Sequence, residues 1–293
     1  MRILITGAGG NVGTGMTERL ASAGHDLVLV DLERPSAAER FHFVQCDLQA
    51  GFGLESAMQG CDLVLHTAAW HGIHHTRKTE IDYWRLNVDG TFWVLQAARA
   101  AGVDRFLFLS SLAWHDRYGT YGFTKVVGEE LCEYHRRRRG LRYVAVRPGD
   151  FTPWADDFIR YGQRLLYGGV DREDVLDCVT LAVDRLAVEP AAGEGPEQIV
   201  VNAVRANAFE AGELVDWERD PLDACERVFP GSSELVQRYS IDVTRTPVVV
   251  EAGDGARELG YAPRRHFGTF LEELRALDAA GGEPAVRARQ CPY

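Results

Sequence analysis

Tyr121 and Lys125 stand four residues apart, and on a helix that spacing puts both side chains on one face. An ammonium beside a phenol stabilises the phenolate and is expected to draw the tyrosine pKa down toward working pH. Such a tyrosine can take a proton from a substrate hydroxyl, or return one to a carbonyl, while hydride moves to or from a nicotinamide. Ser110-Ser111 precede it at the end of an apolar run, and Ser111 could hold the reacting oxygen by a hydrogen bond. Tyr118 is an alternative acid/base, but no lysine follows it at the fourth position.

A second group of residues would hold the nicotinamide carrier. Gly7, Gly10 and Gly13 follow the strand-like run Arg2-Ile3-Leu4-Ile5-Thr6 and open an amphipathic helix beginning at Asn11-Val12. Glycines at that spacing turn the chain tightly, let the backbone approach a pyrophosphate and let the helix pack against the strand. The helix start then faces the phosphates with its N–H groups and positive dipole end. Asp31 ends the next apolar run, where a carboxylate accepts from ribose hydroxyls and repels a 2′-phosphate, so NAD is expected over NADP. Arg34 nearby would soften that preference.

These residues need a scaffold, and the first half of the chain supplies its pattern. Strands are expected at Arg2–Thr6, Leu27–Asp31, Phe41–Cys46, Leu63–Thr67, Arg105–Ser110 and Arg142–Arg147. Helices are expected at Asn11–Ala23, Leu54–Gln59, Glu80–Ala101 and Tyr121–Arg138. Near-continuous apolar strands alternating with helices imply a Rossmann-type, doubly wound parallel α/β sheet spanning residues 1–150. Residues 151–278 read as a small α+β substrate-binding part with segments returning to the sheet. Within them a helix is expected at Asp171–Leu186, strands at Gln198–Asn202 and Pro247–Glu251, and short helices at Ala256–Leu259 and His266–Ala276. Residues 279–293 are rich in Ala, Gly and Pro and read as a frayed tail.

Composition narrows the function classes. With 293 residues, 46% hydrophobic and a net charge of −11, the chain has ample core material and no attraction for nucleic acid. Arg136 to Arg139 form the one basic block, at a helix C-terminus where cations complement the dipole. No apolar run reaches the ~20 residues of a membrane span, and no signal peptide precedes the first strand. Cys46, Cys61, Cys132, Cys178, Cys225 and Cys291 are scattered, which points to a reducing cytoplasm rather than disulfides or a thiolate metal site. His71, His74 and His75 lack a completing cysteine or carboxylate, so a cleft-lining or exposed loop is preferred to a metal site. Most of the six tryptophans, including Trp84, Trp93 and Trp217, read as core or interface, with Trp154 exempted as a sugar-stacking candidate.

Taken together, Thr6-Gly7-Ala8-Gly9-Gly10-Asn11-Val12-Gly13, Cys46-Asp47-Leu48, His66-Thr67-Ala68-Ala69, Asn87-Val88-Asp89-Gly90-Thr91, Ser110-Ser111, Tyr121 to Lys125 with Gly128-Glu129, and Arg147-Pro148-Gly149 resemble the extended short-chain dehydrogenases/reductases of the NAD-dependent epimerase/dehydratase group. The resemblance implies Ser111, Tyr121 and Lys125 as the catalytic set. It implies Asp47 and Leu48 near the adenine, with Thr67, Ala68, Ala69, Asn87 and Pro148 along the cofactor and Lys125 also on the nicotinamide ribose. It further implies a homodimer pairing the helices Glu80–Ala101 and Tyr121–Arg138.

The chain departs from that pattern twice. Ser111 and Tyr121 are separated by a short loop, and Ala113-Trp114 stand where dehydratases carry an acidic pair, which disfavours sugar dehydration. The segment between Arg147-Pro148 and Asp171 is too short for the usual nucleotide grip, so a free sugar acid is expected, as in uronate dehydrogenases. His71, Ser111, Trp154 and Arg160 are the candidate substrate contacts, the arginine as a carboxylate clamp. The leading expectation is hydride exchange between NAD and a secondary alcohol or lactol of a sugar. The alternatives are a nucleotide-sugar 4-epimerase with tightly held NAD, and a non-catalytic dinucleotide-sensing scaffold.

Overall fold

A computed structural model describes residues 1–115, 119–155, 157–189 and 197–293, so the alternative acid/base Tyr118 lies outside the described residues. The chain divides into two units: residues 1–148, 176–202 and 253–261 form the first, and residues 149–175, 203–252 and 262–293 the second.

The first unit carries the sheet. Its strands are β1 (Arg2–Thr6), β2 (Asp26–Asp31), β3 (His42–Gln45), β4 (Leu63–His66), β5 (Arg105–Leu109), β6 (Arg142–Pro148) and β7 (Gln198–Ala203), in the order β3-β2-β1-β4-β5-β6-β7. The pairs from β3 through β6 run parallel. Strands covered on both faces need apolar residues on both, which is why Ile3, Leu4 and Ile5, and Leu63, Val64 and Leu65, are all fully buried. The register sets Thr6 of β1 opposite His66 of β4 and Val30 of β2, so these strand ends share one edge. Helix α1 (Asn11–Ser22) buries Val12, Met16 and Leu20 on one face, and α2 (Leu54–Met58) buries Leu54, Ala57 and Met58.

The single helix expected over Glu80–Ala101 is three pieces: α3 (Glu80–Tyr83), a π-helical stretch over Trp84–Gly90, and α4 (Thr91–Ala100). The widened turn coincides with Asn87, whose side chain bonds outside the helix and whose carbonyl accepts from the Thr91 hydroxyl at 2.7 Å. Helix α5 (Thr120–Arg139) then carries the tyrosine and lysine, with Lys125, Glu129 and Cys132 on its buried side.

The second unit contains α6 (Phe158–Leu166), α8 (Pro221–Val228), α9 (Ser233–Arg238) and α11 (Phe267–Arg287), while α7 (Arg172–Ala187) starts in this unit and runs into the first, and α10 (Asp254–Leu259) belongs to the first. Its core is aromatic: Phe158, Tyr161, Trp217, Phe229, Phe267 and Phe270 are buried together. Two expectations fail here. Pro247–Glu251 forms no strand, because the side chains of Arg205 and Asn207 bond the main chain at Val248 and Val250 in place of a neighbouring strand. The tail is not frayed either: α11 continues through a kink at Gly282 to Arg287, with Val286 buried.

Candidate active site

The glycine bend is built with no room for side chains. Gly7 sits at φ +68°, and a Cβ there would lie 2.7 Å from the Ala68 backbone. A Cβ on Gly13 would fall 2.2 Å from the Gly7 carbonyl oxygen. The Gly10 N–H closes the turn onto that carbonyl at 2.9 Å, and no side chain caps α1 at Gly10. Asp31 ends β2 beside the bend and accepts from the N–H groups of Gly9 (2.8 Å) and Leu32 (2.7 Å). Thr67 donates to the Thr6 carbonyl at 2.7 Å, tying the end of β4 to the end of β1. Ala68 and Ala69 follow, both half-buried, and the bend packs on Ala68.

The catalytic candidates lie past the ends of β5 and at the start of α5. Ser111 accepts from the Ala113 N–H at 3.1 Å, and its side chain lowers the pKa of the Tyr121 phenol. The Lys125 ammonium lies 5.9 Å from the Tyr121 ring centre and donates to the Leu109 carbonyl at 2.7 Å. The spacing of four thus brings the pair together, but not with the expected electrostatics. Burial pushes the phenol up to about 12, offset in part by Ser111. Burial also draws Lys125 down to about 8, with Glu129 opposing the fall. The lysine is held on a main-chain carbonyl rather than on the phenol oxygen, which is why the downward tuning of Tyr121 read from the sequence is absent.

Two buried networks fix these groups. Ser110 donates to Glu129 at 2.5 Å, and Arg147 grips the same carboxylate at 2.5 and 2.8 Å. The second runs from Thr6 through His66 and Thr91 to Asn87. Because the Thr91 hydroxyl donates to the Asn87 carbonyl, it accepts from His66 Nε2 (2.9 Å), leaving Nδ1 to accept from Thr6 (2.6 Å). Burial and Lys125 hold His66 neutral, its pKa down at about 3. Asn87 accepts from the Trp70 N–H (2.8 Å) and donates to the Trp70 carbonyl (2.9 Å) and the Thr124 hydroxyl (2.9 Å). Its side chain therefore positions the chain after β4. Glu129 and His66 entered the sequence reading only as members of motifs, and Tyr83 not at all. A histidine closing the run Leu63-Val64-Leu65 was the available signal for one of them.

The remaining candidates are dispersed. Asp47 is exposed and accepts from the Gln49 N–H at 3.0 Å in a local turn, and Leu48 is buried against Gly90. Pro148 is buried at the end of β6. His71 is half-buried, its carbonyl accepting from the Tyr83 hydroxyl at 2.8 Å and its ring edge-on to His74 at 4.4 Å. Trp154 is buried between Phe158 and Tyr161 in the second unit's core, so the stacking platform expected of it is absent. Arg160 is exposed on the first turn of α6. Among the described residues no helix is long and apolar enough to cross a membrane.

Residues 3–152 match the NAD dependent epimerase/dehydratase family, and the chain belongs to it. L-arabinose 1-dehydrogenase (NAD(P)(+)) of Haloferax volcanii is 31% identical over 92% of this chain and 99% of its own length. Uronate dehydrogenase of Pseudomonas syringae pv. tomato is 28% identical over 57% of this chain and 70% of its own. An uncharacterised Mycobacterium tuberculosis protein is 38% identical over half of this chain, and the match spans only 14% of that relative. Among solved structures, glucuronic acid dehydrogenase from Chromohalobacter salexigens has the same fold, with a TM-score of 0.63 and 20% identity over 94% of this chain and 88% of that one.

Proposed function

We propose that this chain is an NAD-dependent oxidoreductase acting on a secondary alcohol or lactol of a free sugar or sugar acid. The observation that carries the reading is the buried Lys125 ammonium 5.9 Å from the Tyr121 ring centre, in the same unit as a bend that admits only glycine at positions 7 and 13. The bend and Asp31 fit a dinucleotide: the missing Cβ atoms let backbone approach a pyrophosphate, and the carboxylate is poised for ribose hydroxyls. NAD, when bound, supplies the hydride acceptor. In carbonyl reduction the protonated Tyr121 phenol gives its proton to the substrate oxygen that Ser111 holds, and in alcohol oxidation the phenolate takes it back. Lys125, retained as an ammonium below about pH 8, is held on the Leu109 carbonyl beside that phenol.

A free sugar rather than a nucleotide sugar is supported by the short segment 149–171. Its Trp154, Phe158 and Tyr161 are buried in the second unit's core. The full-length likeness to an L-arabinose dehydrogenase and the partial likeness to uronate dehydrogenases support the same reading. We infer a cytoplasmic homodimer from the family resemblance. The test is a screen of purified protein with added NAD against uronic acids, free aldoses and nucleotide sugars, read by NADH absorbance. Turnover confined to unactivated sugars is expected. Turnover of nucleotide sugars alone, with NAD retained through gel filtration, contradicts it in favour of epimerisation.

A further inference from the structure

Lys125 is 3% exposed, so its charge is held almost wholly out of water. Its ammonium donates to the Leu109 carbonyl at 2.7 Å and lies 4.9 Å from the Phe108 ring centre, and neither partner carries a formal charge. A buried ammonium with such partners tends to give up its proton. The titratable groups around it do not supply a counter-charge at neutral pH. On α5 itself burial keeps the Tyr121 phenol and the Cys132 thiol protonated, and at the end of β4 burial keeps His66 neutral.

Glu129 stands one turn further along the buried side of α5 and is 8% exposed. Its carboxylate is fixed from two strands, by Ser110 of β5 at 2.5 Å and by Arg147 of β6 at 2.5 and 2.8 Å. Lys125 and Glu129 thus hold successive residues of β5, one by the Leu109 carbonyl and the other by the Ser110 hydroxyl. Helix and strand approach this closely because residue 128 has no side chain: a Cβ on Gly128 would lie 2.3 Å from the Phe108 ring. The next residue of the chain after this clip is Ser111. A Glu129–Arg147 pair serving only to tie β6 to α5 would be neutral by itself, and a second buried cation one turn away would be an added cost. Of the two groups whose charge acts on Lys125, Glu129 acts more strongly than Cys132, and it acts against burial.

We propose that Glu129 is a positioning residue of the site, the counter-ion that keeps Lys125 an ammonium while it fixes, through Ser110, the strand end that carries Ser111. Arg147 holds the carboxylate in place for both tasks. The proposal rests on Lys125 and Ser111 belonging to the catalytic set.

The chain has two lysines, Lys78 and Lys125, so protein isotopically labelled at the lysine ε-carbon gives two NMR signals, assigned with Lys78→Arg. The charge of Lys125 can then be titrated without cofactor or substrate, and in the parent its midpoint is expected at about pH 8. Glu129→Gln keeps an oxygen for Ser110 and removes the charge, and it should lower that midpoint by about one pH unit or more, the scale of one nearby opposite charge. Should Glu129→Gln not fold with Arg147 left unpaired, Glu129→Gln combined with Arg147→Met takes its place and should lower the midpoint likewise. Ser110→Ala keeps the carboxylate and should leave the midpoint at its parental value. The alkaline limit of turnover should fall together with the lysine midpoint in Glu129→Gln. A midpoint that stays at the parental value when Glu129 is neutralised, or that falls equally in Ser110→Ala, overturns the proposal. A midpoint that falls while the alkaline limit of turnover stays supports Glu129 as the counter-ion and overturns the catalytic role of the Lys125 charge. Absence of turnover by the parent overturns the proposed function, and the lysine titration still decides the role of Glu129.

Discussion

The two units differ in how they hold their polar side chains. In the first, side chains bond to side chains: Ser110, Glu129 and Arg147 form one chain, and Thr6, His66, Thr91 and Asn87 another. Both end at the carboxyl edge of the sheet, where Tyr121 and Lys125 stand. In the second, a buried pair joins Tyr161 to Asp171, but several other side chains reach main chain. Trp217 donates to the Val243 carbonyl, Arg205 to Leu166 and Val248, and Asn207 bridges Val250. The difference follows from what each must hold. Regular strands satisfy their own backbone, so buried side chains are released to fix one another for chemistry. Irregular chain cannot, so its buried donors are drawn to carbonyls, and an aromatic core supplies the cohesion.

Perturbations should separate along that line. The largest expected effect is on the second unit: Phe270→Ala empties a site packed by Phe158 and Phe267 and should cost about 3–5 kcal/mol, read by denaturant unfolding. An effect under 1 kcal/mol would mean that the aromatic cluster does not hold that unit.

Acid should act on the first unit through His66. Its folded pKa, about 3, lies below the ordinary 6.5, so the unfolded chain binds the proton first. The stabilisation is complete above pH 6.5 and is lost as pH falls toward 3. Between pH 6.5 and 5 the loss should approach about 2 kcal/mol, at 1.36 kcal/mol per pH unit. His66→Gln should flatten that slope in thermal melts, and an unchanged slope would place the acid sensitivity elsewhere.

The smallest effect is local to the glycine bend. Asp31→Ala removes an acceptor for Gly9 and for the ribose and should raise the KM for NAD about tenfold or more, the loss of one charge-assisted hydrogen bond. The KM for NADP should change far less, and equal changes would contradict the assignment of Asp31.

The same contrast explains what was legible. The apolar runs from β1 to β6 and the amphipathic α1 and α5 read directly, because burial on two faces or one leaves a period in the residues. Gly7, Gly13 and Asp31 read because the bend is made by the backbone alone. Pro247–Glu251 misled because its β-branched run is satisfied by two distant side chains, Arg205 and Asn207. The break at Trp84–Gly90 was hidden because it turns on where the Asn87 side chain goes. Trp154 misled in the same way: an aromatic residue in a short segment says nothing of whether it faces a ligand or Phe158. The spacing of Tyr121 and Lys125 predicted their proximity, but their ionisation depends on burial and on the Leu109 carbonyl, which spacing does not contain.

The most direct test of the account is hydride transfer by Tyr121→Phe protein, measured under single-turnover conditions with the NAD dissociation constant determined alongside. The phenol ring is kept, so NAD affinity should stay within about threefold, while the rate should fall by about 10²–10⁴, the range of a lost general acid/base. Transfer at the parental rate would contradict the assignment of Tyr121 and, with it, the chemistry proposed for Ser111 and Lys125.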